Sequence, residues 1–318
     1  MRIGELIPRL QEQYVTAMDF ASEGIEEIAW LDFPDYSNVG DSAIWLGQLT
    51  WARSRGKRTK FIVPERAITS KLLRRIAKRD VVPIITGGGN LGGLYPTHDA
   101  SRSRVFEAFT GRSIIQAPQS VHFTSRVIED QILEKFSAQP ALTVLVRDES
   151  SYDKLSGLGK VQLVPDSAHM LGVLNVPAAI RPYSLLVRTD QESSAGIVPG
   201  GDQNDWLTEP NFGRRIRQVI AASAGVSGLT WPIRGLNYSR HASRRLERGL
   251  VQIAMGETVV TDRLHAMILG LQCGRRVVAV DNAVKKLSRY ASLWYSDLDG
   301  GTLQFAPDVA TAIDLASA

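Results

Sequence analysis

Apolar runs of roughly four to seven residues alternate with longer amphipathic stretches through most of the chain, and this alternation limits the fold more than any single motif. A strand buried on both faces reads as an unbroken apolar run, because helices cover the sheet above and below. A crossover helix reads instead with apolar positions three and four residues apart. Strands are predicted at Ile28–Phe33, Lys60–Val63, Val81–Ile85, Ser113–Ala117, Leu142–Val146 and Val161–Val164, separated by helices at Asp41–Arg55, Thr69–Lys78, Arg102–Thr110, Thr124–Phe136 and Ser150–Leu155. The scheme resumes with strands at Ser184–Arg188, Ser227–Trp231, Thr258–Thr261 and Arg276–Val280, and helices near Asn211–Ala224, Ala242–Met255, Asp262–Leu271 and Val284–Ser292. An α/β chain follows, with two Rossmann-like parallel sheets facing across a cleft.

The chain has 318 residues, more than the roughly 100–200 of a common domain. The join is expected near Leu171–Pro182, where Pro177 and Pro182 stiffen a stretch of weak periodicity. This divides the chain into residues 1–175 and 176–318, with the last helix packing back on the first unit. Gln191–Thr208 holds Gly196, Pro199, Gly200 and Gly201 and reads as an irregular loop. Hydrophobic residues at 44% and charged residues at 22% fit a globular protein, and no run approaches the ~20 uninterrupted apolar residues of a membrane helix. The lone Cys273 rules out an internal disulfide and a cysteine-built metal centre. With an N-terminus lacking the apolar core of a signal peptide, it points to the cytoplasm. A net charge of +4 suits an anionic small substrate or peripheral contact with a membrane face. Nucleic acid is disfavoured, since neither an aromatic-studded basic stripe nor zinc-finger spacing occurs.

Ligands of open parallel sheets bind beyond the carboxyl ends of the strands, so the turns after strands carry the functional search. Strand Thr258–Thr261 runs into Asp262-Arg263-Leu264-His265. A helix N-terminus favours an anion, an arginine there suggests phosphate or carboxylate, and a histidine beside it can carry a proton near neutral pH. Read without chemistry, the same turn is a helix capped by Asp262 or Thr261. Asn38-Val39-Gly40-Asp41 offers close backbone approach and a carboxylate for ligand hydroxyls or for capping. After Thr86 come Gly87, Gly88, Gly89, Asn90, Leu91, Gly92 and Gly93. That density of glycine exceeds what a turn requires and suggests backbone N–H contact with a phosphate or sugar. The spacing is neither the dinucleotide G-x-G-x-x-G nor a P-loop.

Gln119 and Ser120 place an amide and a hydroxyl at the next strand end, where turn chemistry is the plain alternative. Arg147 places a guanidinium at the one after, with a surface pair to Asp148 or Glu149 as its ordinary alternative. Asp166 most simply caps. Arg188, then Asp281, Asn282, Lys285 and Lys286, complete a set of polar and cationic groups at strand ends. His98, His122, His169 and His241 are assigned to the surface or to packing.

Together, Asn38-x-Gly40-Asp41, Gly87-Gly88-Gly89-Asn90-Leu91-Gly92, Pro118-Gln119-Ser120, Arg147-Asp148-x-x-Ser151, Pro165-Asp166-x-Ala168, Asp262-Arg263-Leu264-His265-Ala266 and Asp281-Asn282 closely resemble the polysaccharide pyruvyl transferase family. Each motif is common alone; their order and spacing over roughly Ser37 to Lys286 carry the likeness. The resemblance implies a two-domain fold like that of the GT-B glycosyltransferases, phosphoenolpyruvate as donor and a sugar as acceptor, on a polysaccharide or a lipid-linked oligosaccharide. A pyruvate ketal and phosphate are the implied products, with no cofactor. It assigns Arg147, Arg263, Leu264 and His265 to phosphoenolpyruvate. Gly88, Gly89 and Asn90 join them on the donor side, and Asn38, Asp41, Gln119, Ser120, Asp281, Asn282 and Lys286 belong to the acceptor or the cleft. Gln191–Thr208 matches no family motif, and sugar contacts vary between members.

On this reading arginines from opposite units hold the donor's phosphate and carboxylate by forked hydrogen bonds, and His265 moves protons. Asp41 and Asp262 are alternative bases. Arginine charge can also stabilise departing phosphate, so the chemistry requires no metal. Two competing readings differ in class. One is a nucleotide-sugar-dependent GT-B glycosyltransferase, disfavoured because no acidic residue is evident for gripping a ribose. The other is a non-catalytic glycan- or anion-binding protein, disfavoured by the presence of Arg147, Arg263 and His265 together.

Overall fold

The computed structural model describes residues 1–188, 206, 231–281 and 285–317. The helix expected at 211–224, the loop expected at 191–208 apart from Trp206, and Asn282 lie outside them. So does the strand expected at 227–231, except Trp231, which begins a helix. Ahead of the first strand lies α1 (Ile3–Ala21), which buries Leu6, Ile7, Leu10, Tyr14, Ala17 and Met18 at helical spacing. The sequence expectations begin at Ile28 and omit it.

The first sheet comprises β1 (Glu27–Phe33), β2 (Arg58–Pro64), β3 (Val82–Ile85), β4 (Gly88–Leu91), β5 (Ile114–Val121), β6 (Leu142–Val146) and β7 (Val161–Leu163). Helices α2 (Val39–Ser54), α3 (Ser70–Ala77), α4 (Pro96–Ala108), α5 (Arg126–Ser137) and α6 (Glu149–Leu155) connect them. The order is β2-β1-β3-β5-β6-β7, with β4 paired to β5, and these pairings are parallel. Because β2 and β3 lie on opposite sides of β1, the connections diverge there and open a crevice at the carboxyl ends of β1 and β3. The second sheet, β8 (Arg181–Leu186), β9 (Gly256–Thr261), β10 (Arg276–Val280) and β11 (Leu303–Ala306), is parallel in sequential order. Its described helices are α7 (Trp231–Ala254), α8 (Leu264–Gln272), α9 (Lys286–Trp294) and α10 (Val309–Ser317).

The two sheets share an interior. Leu6 and Leu10 of α1, Val39 and Ala43 of α2, and Ala168 pack in one buried cluster with Leu186, Leu264, Met267, Ile268 and Tyr290. Helix α7 lies along α2 and reaches β2, and its buried Arg245 donates to the Pro34 carbonyl at 3.2 Å. The last helix does not take the bridging role expected of it. The small residues Ala312 and Ala316 let α10 settle on the valine-rich face of the second sheet, beside Val260 and Val278, and the bridging falls to α1 and α7. Among the described residues no helix is long and apolar enough to cross a membrane.

Candidate active site

A cleft of about 580 Å³ opens where the carboxyl ends of the two sheets meet. The first sheet and its connections contribute Asn38, Asp41, Gly89, Asn90, His98 and Arg147; the second contributes Arg188, Arg263, His265 and Lys286. Six of these ten residues carry a cation or a titratable imidazole, drawn from separate strand ends and helix starts, so the potential inside favours an anion.

Arg147 leaves the end of β6 and is 2% exposed. Its Nε donates to Ser120 Oγ at 2.9 Å, its Nη1 pairs with Asp166, and its carbonyl accepts Trp294 Nε1 at 2.9 Å. Asp148 and Ser151 serve this aim. Asp148 caps α6 by accepting the Ser151 amide at 2.9 Å and takes the Ser120 hydroxyl at 2.6 Å, while Ser151 Oγ accepts the Val121 amide at 2.7 Å. The Arg-Asp-x-x-Ser motif is thus a brace between the ends of β5 and β6 that fixes one guanidinium, not a surface ion pair. A methyl group on Gly89 would lie 3.3 Å from Arg147 Nη2 and 3.4 Å from Lys286 Nζ, so cations from both halves converge over that residue.

His265 occupies the first turn of α8, whose N-cap is Arg263. Its Nε2 stands 3.3 Å from both Arg147 Nη1 and Asp166 Oδ2. A protonated Nε2 donates to Asp166 and a bare one accepts from Arg147, so either state finds a partner. The other edge of the ring rests on α2, where a Cβ at Gly40 would come within 2.6 Å of His265 Nδ1. Gly40 therefore makes room for the imidazole. Asp166 does cap, accepting the Ala168 amide at 2.8 Å, but its other oxygen is the hub between Arg147 and His265. Burial acts to raise the carboxyl pKa; Arg147 and His265 outweigh it and hold the group well below the usual carboxylate range.

The structure redistributes several other assignments. The glycine run is not an open phosphate loop. Residues 88–91 form β4 against β5, where Gly87 and Gly92 lack side chains because a Cβ would lie 2.3 Å from the Pro118 carbonyl oxygen and 2.0 Å from that of His122. Gly88 is buried against Asp41 and Ile44, leaving Gly89 and Asn90 as the members of the run that line the cleft. Asn90 Oδ1 accepts Arg102 Nη2 at 2.5 Å. Leu264 belongs to the shared apolar cluster. Gln119 is fully buried, its Nε2 on the Ser120 carbonyl at 3.0 Å. Asp281 caps α9 through the Leu287 amide at 2.9 Å, and Asn38 caps α2 through the Gly40 amide at 2.9 Å while still facing the cleft.

His98 corrects an assignment in the other direction. It lines the cleft with both carboxylate oxygens of Asp32 on its Nδ1, at 2.8 and 2.9 Å. A histidine preceding an ordinary helix pattern gives no hint of this in sequence. Among the described residues, no group of three or more His, Cys, Asp or Glu is placed to hold a metal ion.

Behind Asp166 lies His169, 1% exposed. Its Nε2 is 3.3 Å from Tyr290 Oη and 3.4 Å from Tyr295 Oη, and Tyr290 Oη accepts the Asp166 amide at 3.0 Å. Burial brings this imidazole down to about 4, against a partial upward pull from Asp166. Between an unfolded value of about 6.5 and the folded one, the unfolded chain binds the extra proton and the native state does not. Stability therefore falls as pH drops through that window, by on the order of 3 kcal/mol at about 1.36 kcal/mol per pKa unit. His169→Gln is expected to lose this acid-sensitive limb, and urea midpoints on either side of the window check it.

The chain matches the profile of the polysaccharide pyruvyl transferase family over residues 38–283. It belongs to that family. Polysaccharide pyruvyl transfer is the activity that accompanies membership. Pyruvyl transferase 1 of Schizosaccharomyces pombe (strain 972 / ATCC 24843) is 27% identical over 307 residues, covering 92% of this chain and 75% of that protein. EpsO of Bacillus subtilis (strain 168), provisionally named a pyruvyl transferase, is 25% identical over 279 residues and covers 84% and 85%. The crystal structure of an uncharacterised protein from Klebsiella pneumoniae subsp. pneumoniae NTUH-K2044 superposes with a TM-score of 0.61 at 18% identity, covering 93% of this chain and 98% of that one. That likeness concerns the fold.

Proposed function

We propose that this pyruvyl transferase takes phosphoenolpyruvate at the cationic side of the cleft, uses two hydroxyls of one sugar as acceptor, and releases phosphate as a pyruvate ketal forms, without a cofactor. The observation that carries the reading is the convergence of Arg147 and Arg263 from different sheets beside His265, with Lys286 above Gly89. Two forked cations match a ligand with a phosphate at one end and a carboxylate at the other. The two lobes act in the manner of a GT-B enzyme, with residues 1–175 presenting the acceptor side and Arg147, and 176–318 supplying the Arg263–His265 donor contacts. The enol methylene carbon gains a proton from His265, a sugar oxygen bonds to the neighbouring carbon, the C–O bond to phosphate breaks, and the second hydroxyl closes the ring. One hydroxyl proton replaces that given to the methylene and the other leaves with phosphate. A cytoplasmic site of action, at the inner membrane face for a lipid-linked acceptor, suits such a donor.

The test is a pair of thermal-shift titrations, one with phosphoenolpyruvate and one with nucleotide sugars, followed by phosphate release from phosphoenolpyruvate in the presence of candidate glycans. Protection by phosphoenolpyruvate and glycan-stimulated phosphate release are expected. Protection by nucleotide sugars alone would place the chain with the glycosyltransferases instead.

A further inference from the structure

The cleft holds a second histidine, contributed by a connection of the first sheet, that the proposed mechanism leaves idle. His98 comes from α4, and its partner Asp32 from β1, at the crevice where the strand order reverses. Asp32 is 4% exposed and sits at φ +65, a left-handed conformation that non-glycine residues adopt rarely and that collects at functional sites. The β1–β2 register slips at this residue. The backbone departure turns the carboxylate so that both its oxygens meet the same nitrogen of His98. A carboxylate on Nδ1 fixes the ring's orientation and its tautomer, leaving Nε2 as the nitrogen offered to the cleft.

The surroundings hold the pair in register. Arg102, 2% exposed, lies 4.0 Å from Asp32 Oδ2 and 3.6 Å from Asp99. Glu65 adds negative charge nearby, and the rings of Tyr36 and Tyr95 stand edge-on to the imidazole at 6.5 and 6.3 Å. Burial works to lower the basicity of His98, but the Asp32 hydrogen bond and charge more than offset it, so the ring is a stronger base than ordinary histidine. Asp41, the other acidic candidate on this wall, is engaged by the Tyr36 hydroxyl.

We infer that His98, positioned by Asp32, is the base that takes the proton from the attacking acceptor hydroxyl, while His265 serves the donor carbon. The inference rests on the ketal-forming reading of the cleft. His98 Nε2 accepts the hydroxyl proton as the oxygen's lone pair forms the bond to the donor's central carbon, and the enol electron pair takes up the proton delivered by His265. The proton held by His98 then leaves with phosphate as the second hydroxyl closes. Two histidines divide the work because both protons move within one turnover, and each ring comes from a helix that follows a strand of a different sheet.

The experiment uses the full chain with phosphoenolpyruvate as the only organic substrate, so that water stands in for the sugar hydroxyl. Phosphate release is followed across pH for the wild type, His98→Gln, His98→Ala, Asp32→Asn and Asp41→Asn, alongside calorimetric binding of phosphoenolpyruvate and circular dichroism. All folded variants are expected to bind the donor within about twofold of wild type, while both His98 variants and Asp32→Asn lose about 10²-fold or more in phosphate release. His98→Gln should also lack the rising acidic limb of the rate profile, and imidazole in the buffer should restore part of the rate to His98→Ala, which a structural defect would not allow. Phosphate release by the wild type no faster than by folded His98→Gln, or a loss confined to Asp41→Asn, overturns the assignment. Failure of the wild type to bind phosphoenolpyruvate at all would instead sink the donor reading on which it rests.

Discussion

His265→Ala is expected to keep its fold and lose about 10²–10⁴-fold in turnover, the span a well-placed acid or base contributes. The fold should survive because the imidazole is at the cleft wall, 14% exposed, and its polar contacts are long at 3.3 Å. Removing it leaves the Arg147–Asp166 pair in place and opens space only beside Gly40. Donor binding should change little, because the cations that grip the anion remain. Turnover and calorimetry on one folded preparation separate these effects. A folded variant with near wild-type phosphate release would remove His265 from the chemistry, and one that no longer binds phosphoenolpyruvate would recast it as a binding residue.

Asp166→Ala should damage stability as much as His265→Ala damages rate. Both Arg147 and Asp166 are at or below 2% exposure, and a buried pair broken at one member leaves an uncompensated charge, at about 3–5 kcal/mol. The same change unsettles the Ala168 turn and deprives His265 of one of its two partners, so activity should fall with it. Asp166→Asn keeps the cap and the shape but not the charge, and its loss should be smaller. Asp166 also titrates in its own window: its folded value lies below the unfolded one near 3.8, so its contribution is complete above that value and fades only as pH falls beneath it. Acid sensitivity between about 6.5 and 4 belongs to His169. Urea titrations of Asp166→Ala at neutral pH giving wild-type midpoints would refute the buried-pair account.

What the sequence disclosed depended on how local the cause was. Leu142–Val146 is a strand between its expected bounds because a five-residue apolar run buried on both faces has one reading. The Arg263–His265 turn declared itself through the type and spacing of its residues. The glycine run was legible only in part because Gly87 and Gly92 answer to the carbonyls of Pro118 in β5 and His122 just beyond it, and a one-dimensional pattern does not distinguish a backbone that needs room for a ligand from one that needs room for a neighbouring chain segment. Asp166 looked like a cap and is one; its second duty comes from Arg147 and His265, 19 and 99 residues away. Asp32 and His98 were invisible for a further reason, since a left-handed aspartate at a strand end leaves no compositional trace.

The apolar cluster joining α1 and α2 to α8 and α9 restricts how this enzyme can move. Two lobes that swing about a flexible joint must meet along a wettable seam, whereas here any wide gape would strip water-avoiding side chains of their cover, at about 25 cal/mol per Å² uncovered. The Arg147, Asp166 and His265 cluster is then set by packing that both sheets share rather than by a swing of one half against the other. Small-angle scattering with and without the donor should give the same molecular dimensions; a marked contraction on binding would show that the halves do part.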